Sequence, residues 1–210
     1  MPGKLEGRRI LITGAASGMG LAIARMFAGE GAQLALLDLN EAGAQVAAQE
    51  LGAAGYGCDV AGRASVNAVV SRAASELGGI DGLINAAGVL TIKPFADFDP
   101  ADWDRMLAIN LTGPFNVVHA ALPFLQAAPR ATIVNIASTS ALMPMAGTTG
   151  YSASKAGLAM FTKCLAFDLG PAIRANTICP GVIATEMTRY LWENPEHSAR
   201  ASERVALKRL

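Results

Sequence analysis

The sequence predicts an α/β protein, a doubly wound and mostly parallel sheet with helices on both faces. Three observations predict it. Apolar runs alternate with helical patterns along the chain. Hydrophobic residues make up 52% of the chain, a supply that suggests strands buried on both faces. The links between them are short, as expected of strand–helix–strand units joined by right-handed crossovers. With 210 residues, 52% hydrophobic and 16% charged, the chain can bury one large core.

The elements are justified in order. Arg9 to Ile12 is a short apolar strand, and Gly18 to Gly29 a helix. Gln33 to Asp38 is the second strand, followed by a helix over Glu41 to Leu51. A weaker strand at Gly55 to Cys58 leads to a helix over Ala64 to Leu77. Gly82 to Asn85 is the fourth strand, and one long helical stretch covers Asp102 to Leu125. Ala131 to Ile136 is the fifth strand, and the helix bearing Tyr151 runs to Leu169. Ala175 to Cys179 is the sixth, stopped by Pro180 and Gly181. No linker or composition shift interrupts residues 1–210, so one domain is expected.

Composition narrows the function. The 17 basic and 17 acidic residues cancel and form no basic stripe, which argues against nucleic-acid binding. No apolar run is long enough to span a membrane. Met1 to Arg9 carries no signal-peptide apolar region. Cys58, Cys164 and Cys179 lack metal-like spacing and read as buried thiols, so the expected compartment is the reducing cytoplasm. His119 and His197 are too isolated for a zinc site, and no metal is expected. His119 reads as a helix-surface or packing residue, and His197 as a loop residue.

The motifs point to a dinucleotide. Thr13 to Gly20 reads T-G-A-A-S-G-M-G, between the first strand and the first helix. Glycines there let the backbone approach a pyrophosphate, and the helix N-terminus supplies amide donors. The alternative is a plain tight turn. Asp38 ends the second strand about 20 residues on, where an acid holds a ribose 2′-hydroxyl. A carboxylate there repels a 2′-phosphate, and neither Ser17 nor Leu39 offers a compensating cation, so NAD is favoured over NADP. The alternative for Asp38 is a helix N-cap. Asp59 and the Asn85-Ala86-Ala87-Gly88 segment also follow strands, at the edge where such sheets bind ligands, though both fit as turn-formers.

Tyr151 and Lys155 are four apart and share one helix face. A tyrosine hydroxyl ordinarily titrates near ~10. A neighbouring ammonium favours the phenolate, so a lowered pKa and a role in proton transfer are expected.

Taken together these motifs resemble the short-chain dehydrogenase/reductase family. The glycine turn, Asn85 to Gly88, Ser138 thirteen residues before Tyr151, Y-x-x-x-K and Pro180-Gly181 stand in the family's order. The resemblance covers nearly the whole chain and implies a Rossmann-type fold. It implies a catalytic set of Asn110, Ser138, Tyr151 and Lys155. In that set Tyr151 is the acid/base and Ser138 holds the substrate oxygen, selected by spacing over Thr139 and Ser140. Lys155 binds the nicotinamide ribose and lowers the tyrosine pKa. Asn110 helps hold a water linking Lys155 to solvent, and its poor propensity predicts a disturbed helix there. The implied cofactor contacts are Gly14, Ser17, Gly18, Met19 and Gly20, then Asp38 and Leu39, Asp59 and Val60, and Asn85, Ala86 and Gly88. Tyr151, Lys155, Pro180, Gly181, Ile183 and Thr185 complete them.

The implied activity is NAD-dependent interconversion of a secondary alcohol and its ketone. Rival readings are a 3-oxoacyl-carrier-protein reductase, which Asp38 opposes by disfavouring NADP, and a non-catalytic dinucleotide-binding regulator, which the intact catalytic set opposes. A related epimerase or dehydratase ranks last. Leu90, Met143, Met145, Met187, Tyr190 and Trp192 fall where the family walls its pocket. Methionines adapt to irregular apolar shapes, so an alicyclic, aromatic or acyl substrate is expected. Glu186 to Arg204, interrupted by Pro195, resembles the family's mobile lid. Family members usually continue past a segment like Val205 to Leu210 with another helix and a seventh strand. The chain therefore reads as truncated, with its sixth strand an exposed edge. The family pairs subunits through the helices near Asn110 and Tyr151, so a homodimer or homotetramer is expected.

Overall fold

The computed structural model describes residues 3–203 and 205–209. Six strands form one sheet: β1 (Arg9–Thr13), β2 (Gln33–Asp38), β3 (Ala54–Gly57), β4 (Gly82–Asn85), β5 (Ala131–Ile136) and β6 (Ile173–Ile178). Their order is β3-β2-β1-β4-β5-β6, and every pairing is parallel. The helices between them are α1 (Gly18–Gly29), α2 (Glu41–Leu51), α3 (Arg63–Leu77), α4 (Pro100–Leu107), α5 (Gly113–Ala127) and α6 (Thr149–Leu169). Beyond β6 lie α7 (Arg189–Trp192) and α8 (Pro195–Glu203).

Alternation along the strands sends side chains to two cores. Leu11, Leu83 and Ile133 pack with Val66 and Val70 of α3 and Val117 and Leu125 of α5. Ile10, Ile12 and Ile84 pack on the other face with Ala24 of α1 and Ala47 and Ala48 of α2. Each fully buried aliphatic side chain of this kind contributes about 1.5–3 kcal/mol. Small alanines let α1 and α2 lie close to the sheet.

The two ends of the sheet are built differently. At the amino end Asp81, 7% exposed, accepts from Arg8 Nε at 2.5 Å and Arg9 Nε at 3.1 Å. Arg8 also donates to the Asp81 carbonyl and Thr132 Oγ1, tying together the starts of β1, β4 and β5. Asp81→Ala leaves two cations facing each other with partial access to water. The expected loss is about 2–3 kcal/mol of unfolding free energy in urea melts, below the range for a sealed ion pair.

At the carboxyl end, register places Thr13, Asn85, Asn135 and Thr177 in one row across β1, β4, β5 and β6. Thr13 Oγ1 accepts from the amides of Ala86 and Ala87, each at 3.2 Å. Asn85 Nδ2 donates to Asn135 Oδ1 at 2.8 Å, and Asn135 Nδ2 donates to Thr162 Oγ1 of α6 at 2.8 Å. This polar row, buried at Thr13, Asn85 and Asn135, holds the loop after β4 and α6 to the sheet.

Several expectations change. The long helix expected over Asp102 to Leu125 is three pieces, with a π-turn at Ala108–Thr112 between α4 and α5. Gly113 N donates five residues back to Ala108 O. Pro114 has no amide to offer Asn110 O, so the ordinary ladder cannot continue there. The sixth strand begins at Ile173, earlier than expected, because Ile173 is buried opposite Ala131. As expected, β6 is an edge of the described sheet, with Ile178 52% exposed. Of the three thiols only Cys58 is buried. Cys164 lies on the outward face of α6 with Met160 and Phe167 and is exposed. His197 stands in α8 rather than in a loop, and Pro195 starts that helix after the break that follows α7. Arg204, the last residue of the expected lid, and Leu210 lie outside the described residues.

Candidate active site

The glycine turn is shaped by backbone contact. Gly14 has a φ of 67°, and a Cβ on it would lie 2.7 Å from Ala87 Cα. A Cβ on Gly20 would lie 2.0 Å from Gly14 O. Side chains at either position would push the turn off the sheet or off its own helix. Ser17 is the N-cap of α1, and its side chain makes no capping hydrogen bond. The first amides of α1 therefore open toward the space above β1, a natural seat for an anion.

Around that space lies a cleft of about 350 Å³. From the expected set it gathers Gly14, Ser17, Gly18, Met19 and Gly20, then Asp38, Leu39, Asp59 and Val60. Ala86, Gly88 and Thr185 also line it. Gly18 and Thr185 meet there, with the threonine methyl 3.6 Å from a Cβ position on Gly18. Asp38 Oδ2 accepts from Ala16 N at 3.0 Å, and Oδ1 accepts from Asn40 N at 2.9 Å. The cap of α2 is Asn40, which accepts from Gly43 N, so the capping alternative for Asp38 is excluded.

Other expected contacts stand elsewhere. Asn85 is 2% exposed in the polar row beneath the cleft and is not part of its lining. Its Oδ1 has no partner among the described residues. Pro180, Gly181 and Ile183 also lie outside the lining, as do Tyr151 and Lys155. Sequence reasoning missed Cys58, Ala87, Val89, Arg105, Ile109 and Glu186 as lining residues. Of these, Cys58 and Ala87 adjoin motif residues, while Arg105 and Ile109 carried no local signal.

Beyond this cleft stand Ser138, Tyr151 and Lys155. Ser138 follows β5, and its Oγ accepts from Ser140 N at 3.1 Å. Burial raises the Tyr151 pKa above its usual 10.0, while the Ser138 hydroxyl beside it acts in the opposite direction. Lys155 is 4% exposed, its Nζ 5.8 Å from the Tyr151 ring centroid and donating to Ile136 O at 2.8 Å. Burial brings its pKa down to about 8. The expected lowering of the tyrosine pKa is therefore reversed. Desolvation outweighs every other influence on the phenol, and Lys155 spends a donor on a backbone carbonyl.

Asn110 is fully buried on the π-turn. Its Oδ1 accepts from Val89 N at 2.8 Å, and its Nδ2 donates to Val89 O at 2.9 Å and Ser154 Oγ at 3.1 Å. It joins the loop after β4 to α6. A Cβ on Gly88 would lie 3.2 Å from Asn110 Oδ1 and 3.4 Å from Lys155 Nζ, so both side chains converge on that glycine.

The family model described as short chain dehydrogenase matches residues 8–196. The chain belongs to the short-chain dehydrogenase family. As a member it is an oxidoreductase of alcohol and carbonyl groups that works with a nicotinamide dinucleotide. This dehydrogenase is 41% identical to a D-threitol dehydrogenase of Mycolicibacterium smegmatis, over 93% of this chain and 78% of that one. It is 38% identical to a 3-alpha-(or 20-beta)-hydroxysteroid dehydrogenase of Mycobacterium bovis, over 100% and 83%. It is 37% identical to a cyclopentanol dehydrogenase of Comamonas sp., over 95% and 82%. Among solved structures, the ligand-free aldohexose dehydrogenase of Thermoplasma acidophilum superposes with a TM-score of 0.91 at 26% identity, covering 100% of this chain and 84% of that one.

The residues expected to wall the pocket are largely solvent-exposed. Met143, Met145, Met187, Tyr190 and Trp192 are all exposed or nearly so, and Leu90 is half-buried. Met187 lines the dinucleotide cleft itself. Ile92, Phe95 and Leu142, which the sequence did not single out, are exposed on the adjacent loops. Lys93 N donates to Gly147 O at 3.0 Å, so the loops after β4 and β5 are joined. Trp192 Nε1 donates to Thr185 O at 2.9 Å, fastening the start of the expected lid to the cleft. Among the described residues no cluster of His, Cys, Asp or Glu could hold a metal, and no helix is long and apolar enough to cross a membrane.

Proposed function

We propose that residues 1–210 form one dinucleotide-binding and catalytic domain that interconverts an apolar secondary alcohol and its ketone with NAD(H). The convergence of Ser138, Tyr151 and Lys155, with Lys155 Nζ 3.4 Å from a Cβ position on Gly88 of the cleft lining, carries this reading. The bare turn, with no room for Cβ atoms at Gly14 and Gly20, fits a pyrophosphate. Asp38 would hold the adenosine ribose, while Thr185 and the backbone near Pro180, Gly181 and Ile183 would hold the nicotinamide end. When bound, the cofactor supplies the hydride acceptor or donor.

The chain's own residues handle the oxygen and its proton. During alcohol oxidation the Tyr151 oxygen takes the hydroxyl proton, and Ser138 Oγ holds the same oxygen in place. The buried Lys155 ammonium stabilises the phenolate form. Asn110 holds Val89 and Ser154, so the loop after β4 and the start of α6 stay in register. The methionine-rich rim suits an alicyclic, aromatic or acyl substrate better than a polyol.

A panel of cyclopentanol, a hydroxysteroid and a four-carbon polyol, each with NAD and with NADP, tests this by absorbance of the reduced cofactor. Turnover of the first two with NAD is expected. Turnover confined to the polyol would reject the apolar pocket, and a preference for NADP would favour the acyl-carrier-protein reductase reading. Asp38→Ala should raise KM for NAD about tenfold and narrow its advantage over NADP, because the ribose loses a charged hydrogen-bond partner. An unchanged ratio of kcat/KM for NAD over NADP would leave Asp38 only its contacts with Ala16 and Asn40.

The outward apolar face of α5 and α6, with Phe115, Met160 and Phe167, supports a homodimer or homotetramer. The free thiols suit the cytoplasm.

A further inference from the structure

We propose that Arg105 grips the adenine ring of the bound dinucleotide and sets affinity for its adenylate half. This rests on the dinucleotide reading above. Arg105 occupies the last turn of α4 and lines the cleft. Among the described residues its guanidinium makes no ion pair. The cleft's carboxylates are engaged elsewhere: Asp38 with Ala16 N and Asn40 N, Asp59 Oδ1 with Ala61 N at 2.9 Å, and Glu186 with Arg189. Among the described residues this exposed cation thus lines the cleft with no ion-pair partner.

Position selects the part of the ligand it meets. The pyrophosphate belongs at the start of α1, and the nicotinamide must reach Tyr151 beside β5. The adenosine half must then extend the other way, over β2 and β3, toward Asp38 and Val60. Ile109 is one turn on from Arg105 and lines the same cleft, so both share one helix face. One further turn on, a Cβ on Gly113 would lie 2.8 Å from Val60 Cγ2, so this wall packs directly against the end of β3. A flat base seated between Val60 and Ile109 presents one face or edge to Arg105. Adenine is uncharged and aromatic, and a guanidinium is planar, weakly hydrated and stacks on such faces. An ammonium lacks that geometry.

The test is calorimetric titration of the wild type, Arg105→Ala and Arg105→Lys with NADH, ADP-ribose, reduced nicotinamide mononucleotide and NADPH, with thermal melts of each protein. Arg105→Ala should raise Kd for NADH and ADP-ribose about five- to tenfold and leave the mononucleotide unchanged. Arg105→Lys should recover less than half of the loss. Unchanged NADH binding in Arg105→Ala would overturn the proposal while leaving the dinucleotide reading intact. Full recovery by lysine, or a loss confined to NADPH, would overturn it in favour of a phosphate contact. An equal loss for the mononucleotide would overturn it as general damage to the cleft. A wild-type protein that binds none of the dinucleotides would reject the reading beneath it.

Discussion

Tyr151→Phe should lower turnover by about two to four orders of magnitude, the range of a positioned acid or base, and leave Kd for NADH unchanged. The half-buried phenol stands on α6 beside Ser138, and its ring remains in the variant, so packing is preserved. Only the titrating oxygen is lost. Burial holds the free phenol above its usual pKa. The proposed chemistry therefore needs the Lys155 ammonium to stabilise the phenolate during reaction. Alcohol oxidation should accordingly rise with pH through the neutral range in the wild type, and the residual rate of Tyr151→Phe should not follow that rise. Stopped-flow measurement of reduced cofactor, with calorimetry for binding, checks both. Turnover in the variant within tenfold of wild type would remove Tyr151 from the proton-transfer step.

The motif residues were legible because their chemistry depends on chain neighbours. A glycine turn between strand and helix and an acid at the next strand's end announce a nucleotide cleft wherever they fold. The strands were legible from their mainly apolar runs between helical patterns, and β2 and β4 match their expected limits. What stayed hidden depends on distance in space. Asn85 looked like a cofactor contact from its place in the Asn85 to Gly88 segment, yet its side chain turns into the sheet to meet Asn135, fifty residues away. The balance of forces on Tyr151 was hidden too. Spacing put Lys155 on the same face, but it could not reveal that the ammonium bonds to Ile136 O or that burial dominates both groups. Arg105 lies in the last turn of α4 and Ile109 in the π-turn that follows it, and only Pro114 and Asn110 hinted at that turn.

Lys155→Met should abolish measurable turnover and weaken NADH binding, and it should also change how stability depends on pH. In the folded protein burial brings the ammonium from the ordinary 10.5 down to about 8. Below about pH 8 both folded and unfolded chains carry the proton, and the wild type bears the full cost of the buried charge, about 3 kcal/mol by linkage. Between about 8 and 10.5 the unfolded chain binds more protons than the folded one, so wild-type stability climbs at up to about 1.4 kcal/mol per pH unit. The methionine variant has no such titration. It leaves Ile136 O without its donor, a cost of about 1–3 kcal/mol that does not vary with pH. Tyr151 titrates in both proteins, so its contribution largely cancels in the difference. Urea melts at about pH 7 and about pH 9.5 should show the wild type gaining on the variant by about 2 kcal/mol between them. A pH-independent difference would mean that the lysine titrates normally in the folded state. A buried ammonium that costs stability at neutral pH, and stands beside the phenol it must stabilise, is what a site selected for catalysis over stability would keep.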